Sequence, residues 1–268
     1  MTDASALGPY AAPCQNRVMH LATVAERLRN ARHVVCLTGA GVSAESGIPT
    51  FRDPQTGLWA RFDPLELATL EAFDAHPAWV WGWYEWRRCL VARAAPNPAH
   101  CALAAIAGRV PRFTLVTQNV DDLHERAGSH DVLHLHGRLA DSRCELCGRR
   151  LEAAPRPDVP EGGAPLDPPR CPDCGGRYRP GVVWFGEALP PDVWLAAAQA
   201  AGDCDLFFCI GTSSRVQPAA SLSEIALQAG ATTVQINPAA TGLDEQMSAL
   251  LRGPAGQILP QLVAAAWP

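Results

Sequence analysis

Four cysteines stand in two pairs, Cys144-x2-Cys147 and Cys171-x2-Cys174, with 23 residues between the pairs. Two such knuckles are the pattern of one zinc ion held by four thiolates. Four protein ligands close the tetrahedron and leave no position for water, so this zinc is structural. A second chemistry is written in Gly39-Ala40-Gly41-Val42-Ser43-Ala44, which fits GxGxxG/A after an apolar run. Glycines at that spacing allow a tight turn and a close backbone approach to a pyrophosphate. The loop then continues through Glu45-Ser46-Gly47-Ile48-Pro49 to Phe51-Arg52-Asp53. A hydride-transferring dehydrogenase would instead run directly into a helix and a second strand, so that class is disfavoured. Arg52 is a candidate phosphate partner.

Polar residues gather at the ends of other apolar runs. Gln118-Asn119-Val120-Asp121 follows one, Gly211-Thr212-Ser213 another, and Asn237 a third. His134 and His136 lie two residues apart, so an extended chain puts both on one face. His136 is the better site candidate because it lies nearer the carboxyl end, where a crevice ligand would sit. Tyr84 and Arg87, at i,i+3, share a helix face. A phenol beside a guanidinium can clamp a carboxylate. The competing reading is an aromatic core helix, rich in Trp79, Trp81, Trp83 and Trp86, with arginines reaching outward.

These residues need a scaffold. Helical periodicity runs from Met19 to Ala31, and Pro64, Pro77 and Pro98 mark helix starts across 64–108. Apolar runs at 34–38, 113–117, 132–135, 205–210 and 232–236 read as strands, and Ala-rich stretches at 191–201, 218–229 and 243–252 as helices. Buried strands alternating with helices imply an α/β class: a Rossmann-like doubly wound parallel sheet, with ligands at the strand carboxyl ends. The partition expected is a flexible leader at 1–17, Rossmann-like parts at 18–54, 109–138 and 181–268, a helical part of a smaller domain at 55–108, and an inserted zinc-ribbon module at 139–180.

Composition narrows the class. The chain has 268 residues, 48% hydrophobic and 18% charged, enough to bury a core. The net charge of -5 argues against nucleic acid as the main partner. No run reaches the 18 apolar residues of a membrane span. Single cysteines in apolar runs beside a metal cluster fit a reducing cytosol, and the N-terminus has no secretory apolar region. A monomer in a bacterial-like cytoplasm is the expectation, with a mitochondrial location as the alternative. All 22 basic residues are arginine, so no lysine side chain is available for acylation.

The ordered set 39–52, 117–121, 134–137, the four cysteines, Val182-Val183-Trp184-Phe185-Gly186-Glu187, 211–214 and Asn237 resembles the sirtuin family of NAD-dependent protein-lysine deacylases. The resemblance spans roughly 20–257. It implies NAD as co-substrate and one structural zinc ion. It implies that Gly39, Ala40, Gly41, Ala44, Phe51 and Arg52 line the cofactor loop. Gln118, Asn119, Val120 and Asp121 would hold nicotinamide and its ribose, and Gly211, Thr212, Ser213, Asn237 and Ala255 the adenosine half. His136 would be the general base, with Asn119 beside it in catalysis. An acyl-lysine peptide would pair with Val183 and the backbone of Phe185, Gly186 and Glu187. Tyr84-x-x-Arg87 with Ala68 looks like the class III signature of desuccinylases, demalonylases and CobB-type enzymes. The implied activity is removal of succinyl, malonyl or glutaryl groups, releasing nicotinamide and 2′-O-acyl-ADP-ribose. The alternatives are a deacetylase, a mono-ADP-ribosyltransferase, or a non-catalytic NAD or zinc module.

Overall fold

The computed structural model describes residues 19–49, 63–151, 159–160 and 163–268. The leader at 1–17 and the candidates Phe51 and Arg52 lie outside them. Six parallel strands form the main sheet: β1 (His33–Thr38), β2 (Arg112–Thr117), β3 (Leu133–His134), β6 (Leu206–Ile210), β7 (Thr232–Ile236) and β8 (Ala249–Leu251). Their spatial order is β3-β2-β1-β6-β7-β8. Strand side chains alternate between faces, and here both faces are dry. Val34, Cys36, Leu206, Phe208 and Ile210 join one core with α1 (Leu21–Asn30), α6 (Pro98–Ala107) and α10 (Ala255–Ala266). Val35, Leu37, Phe207 and Cys209 join the other with α8 (Pro191–Asp203) and α9 (Ser221–Gln228). Burial of each such aliphatic or aromatic side chain contributes about 2 kcal/mol, which explains why these strands read as unbroken apolar runs.

A second, antiparallel sheet pairs β4 (Gly137–Cys144) with β5 (Tyr178–Val182). It packs on α5 (Pro77–Arg93), which the short helices α3 (Pro64–Leu67) and α4 (Leu70–Ala75) precede. Arg88 of α5 fastens the two. Its Nε donates to the Leu139 carbonyl at 2.6 Å, and its Nη2 to the Asp141 carbonyl at 3.1 Å and Ser142 Oγ at 2.8 Å, while Glu85 pairs with it.

One expectation fails. Residues 243–252 are not a helix: a 3-10 turn at Asp244–Gln246 leads into β8, which pairs with β7 at Val234↔Ala249 and Ile236↔Leu251. A three-residue apolar run is too short for periodicity to separate strand from helix. The helix in this region is α10, further along. Pro260 in its interior removes a helical hydrogen bond and hides it from a propensity reading.

Candidate active site

The chain works outward from β1 to β2 and β3 on one side, and from β6 to β7 and β8 on the other. The crevice beyond the carboxyl ends of β1 and β6 is therefore the switch point where an open parallel sheet takes its ligand. The loops after these strands interlock there. Gly39 N–H donates to the Ile210 carbonyl at 3.0 Å and Gly41 N–H to the Gly211 carbonyl at 2.8 Å. A Cβ on Gly41 would lie 2.7 Å from Gly211 O, and one on Gly211, at φ +60°, 2.6 Å from Val42 N. These glycines let two loops touch backbone to backbone. Ala40–Ser43 then forms one helical turn, α2, and Ala44 opens a 3-10 turn.

Thr212 gathers the neighbouring loops. Gln118 Nε2 donates to its Oγ1 at 3.0 Å and Asn237 Nδ2 to its carbonyl at 2.8 Å, with Ser213 half-buried next to it. Ala255 opens α10, and the following Gly256 N–H donates to Glu45 Oε2 at 2.7 Å. Glu45 thus ties the glycine loop to the start of α10. Nothing but its place in the loop motif could have pointed to that role.

A buried polar knot lies behind the β2 loop. Ser43 Oγ donates to Asp121 Oδ2 at 2.9 Å and accepts from Asn119 Nδ2 at 3.1 Å. Asp121 Oδ1 accepts from Leu123 N–H, and burial raises its pKa against these hydrogen bonds. The Asn97 N–H donates to His100 Nδ1 at 3.2 Å, which leaves the proton of the neutral ring on Nε2, 3.4 Å from Ser43 Oγ. Burial pushes His100 down to about 4 and His124, whose Nε2 meets Thr38 Oγ1, to about 3. Ser43 and His100 were not among the sequence candidates. A serine in a loop motif and a histidine on an apolar helix carry no signal until the fold brings them to Asp121.

The structure separates the two histidines. His134 is engaged at both ring nitrogens, Nδ1 with the Asn119 carbonyl at 3.2 Å and Nε2 with Glu125 Oε1 at 2.7 Å. His136 is engaged at one: its Nδ1 lies 3.0 Å from the Gln118 carbonyl. A carbonyl only accepts, so Nδ1 carries the proton of the neutral ring and Nε2 keeps its lone pair. Burial lowers the His136 pKa, partly offset by that carbonyl, and favours this neutral form.

On the other side of His136, Val183 N–H donates to its carbonyl at 2.8 Å and Phe185 N–H to the Ala68 carbonyl at 2.9 Å. These two N–H groups are committed within the chain, while Gly186 turns at φ +85°. The Glu187 carboxylate accepts twice from Arg179, at 2.6 and 2.8 Å, and from Trp184 N–H at 2.8 Å. Ala68, Tyr84 and Trp184 share one buried cluster. The Arg87 guanidinium stands 4.9 Å from the Trp83 ring and 5.9 Å from that of Tyr84. Burial lowers the Arg87 pKa, opposed by Tyr84 and by the Asp121 carboxylate of the β2 loop.

The four cysteine sulfurs lie within 4.8 Å of one another, with Cys144–Cys174 at 3.4 Å and Cys147–Cys171 at 3.6 Å. Zn–S bonds of about 2.3 Å at tetrahedral angles need sulfurs ~3.8 Å apart. A disulfide needs ~2.05 Å, and the described cysteines are all unpaired. The donor set fits zinc.

Residues 39–218 match the model of the Sir2 family. The chain belongs to the Sir2 family. This Sir2 chain is 59% identical over 239 residues to an NAD-dependent protein deacylase of Methylococcus capsulatus, covering 89% of this chain and 94% of that one. It is 56% identical to NAD-dependent protein deacylase 1 of Pseudomonas aeruginosa, over 91% and 98% of the two chains. Among solved structures, a Sir2 homolog–NAD complex superposes with a TM-score of 0.83 at 46% identity, over 91% of this Sir2 chain and 93% of that one. A Sir2 protein bound to acetylated peptide gives 0.78 at 27% identity, over 92% and 98%. No helix among the described residues is long and apolar enough to cross a membrane.

Proposed function

We propose that this NAD-dependent protein deacylase prefers lysine acyl groups that end in a carboxylate: succinyl, malonyl or glutaryl. One observation carries the preference: Tyr84 shares a buried cluster with the small Ala68, and Arg87, one helical turn on along α5, holds its guanidinium 5.9 Å from the Tyr84 ring. An acetyl group has no terminal carboxylate to accept that guanidinium's hydrogen bonds. A charge-assisted bidentate contact is worth about 1.5–3 kcal/mol.

The strand-end loops supply the rest. Gly39, Ala40, Gly41 and Ala44 face the dinucleotide with their backbone. Gln118, Asn119, Val120 and Asp121 hold its nicotinamide end, and Gly211, Thr212, Ser213, Asn237 and Ala255 its adenosine end. Phe51 and Arg52 complete this assignment from the sequence. Bound there, NAD supplies a ribose carbon that becomes electrophilic as nicotinamide departs. His136, its lone pair fixed on Nε2, takes the proton from a ribose hydroxyl. An incoming peptide pairs as an added strand with Val183 and the backbone of Phe185, Gly186 and Glu187. Pairing through backbone alone gives modest sequence selectivity. Cys144, Cys147, Cys171 and Cys174 hold zinc away from the chemistry. The same reading keeps the domain partition of the sequence except that α6, packed on the main sheet, goes with the Rossmann-like parts, and it takes the protein as a cytoplasmic monomer, supported by the unpaired cysteines and the bacterial relatives.

The test is a panel of peptides differing only in the acyl group, with product masses measured. Succinyl and malonyl peptides should turn over fastest, only with NAD. Arg87→Met should lower kcat/KM for the succinyl peptide roughly 10–100-fold and affect the acetyl peptide far less. Equal losses sink the carboxylate clamp, and ADP-ribose on the peptide would mark a transferase.

A further inference from the structure

Tyr84 is buried, yet its hydroxyl has a one-sided environment. The indole N–H of Trp184 donates to Tyr84 Oη at 2.9 Å. An indole nitrogen has no lone pair to offer in return. The phenol O–H prefers the plane of its ring, where it has two orientations, and its proton cannot take the side on which the oxygen receives the Trp184 N–H. That orientation is closed. The described residues give the Tyr84 proton no acceptor in the other.

Trp184 is itself held in place. The Arg179 guanidinium lies 3.7 Å from the centre of its ring, and Phe73 packs against it at 5.3 Å. Its backbone N–H donates to Glu187, the carboxylate that grips Arg179 at both oxygens. The Glu187 side chain is therefore spent on aiming Trp184, two contacts away from Tyr84.

We propose that Trp184 is a specificity-determining positioning residue, which fixes the Tyr84 hydroxyl as a hydrogen-bond donor turned away from the indole and so selects acyl groups that end in an acceptor-only carboxylate. The inference rests on the carboxylate preference proposed above and names what orients half of its clamp. Burial keeps Tyr84 protonated, with its pKa pushed up to about 12, so the proton is present at neutral pH. Donation by the indole also polarises the phenol and strengthens its own O–H as a donor. Closing one of two orientations is worth about twofold, and polarisation of a charge-assisted bond about twofold more.

The test replaces the Trp184 indole by genetic-code expansion with benzothienylalanine, which keeps ring size but puts sulfur where the N–H was. The ratio of kcat/KM for succinyl over acetyl peptide should fall about fourfold. Tyr84→Phe should lower the same ratio more, and adding the analogue to Tyr84→Phe should lower it no further. Trp184→Phe tests the same bond with some loss of volume. A wild-type enzyme with no succinyl preference would overturn the underlying reading and this proposal together. A wild-type preference that the analogue leaves intact, or that it lowers equally in the Tyr84→Phe background, would overturn this proposal alone.

Discussion

His136 takes its character from one hydrogen bond. Because the Gln118 carbonyl holds Nδ1–H, the ring can accept a proton only at Nε2, and burial keeps it neutral further into acid than a free imidazole. A base with a lowered pKa is active above that value. The acidic limb of kcat/KM should therefore have its midpoint below the ordinary 6.5, as a pH–rate profile on a saturating NAD concentration would show. His136→Ala should lose turnover by at least 10²-fold with an unchanged circular dichroism spectrum. Wild-type rates in that variant would remove the assigned role. In the sequence, strand spacing put His134 and His136 on one face, and only the place of His136 nearer the carboxyl end, with the family resemblance, favoured it. Only tertiary contacts show that Glu125 and the Asn119 carbonyl engage both nitrogens of His134.

Elements were legible where periodicity or proline marked them. The strands β1, β2, β6 and β7 and the starts of α5 and α6 follow from apolar runs and from Pro77 and Pro98. What failed was short or contradictory: β8, only three residues long, and α10, interrupted by Pro260. Which core a helix faces was not legible either. α6 packs through Ala99, Leu103 and Ile106 on the main sheet rather than on the cysteine module, although α5 and α6 read alike in sequence. At this scale the glycine loops make a sharp prediction. Gly41→Ala forces a Cβ to 2.7 Å from Gly211 O, so the β1 and β6 loops must part. NAD affinity by calorimetry should fall at least tenfold, while the melting temperature drops only a few degrees. Unchanged affinity would show that the interlock does not shape the cradle.

At the scale of the whole molecule, the buried neutral histidines His100 and His124 sit with rings 4.9 Å apart. Their folded pKa values, about 4 and about 3, lie below the ~6.5 of an unfolded chain. Below pH 6.5 the unfolded state therefore binds more protons, and stability falls as acid is added, down to about pH 4 for His100 and about pH 3 for His124. Two such groups give a loss of at most about 4 kcal/mol between pH 7 and pH 5. Denaturant midpoints measured across that range should fall steadily, and His100→Asn should flatten the slope by about half. A midpoint that does not move with pH would contradict the burial of both rings as neutral groups.

β4 begins at Gly137, directly after His136, and ends at Cys144. The strand is a tie-rod between the proton acceptor and the metal cluster, braced midway by Arg88. An ion that touches no reactant thus sets how stiffly the imidazole is mounted. Chelator treatment should silence deacylation, and cadmium or cobalt should restore it as well as zinc does, since only the anchorage has to be rebuilt. Recovery that depended on the Lewis acidity of the replacement ion would contradict a purely mechanical role.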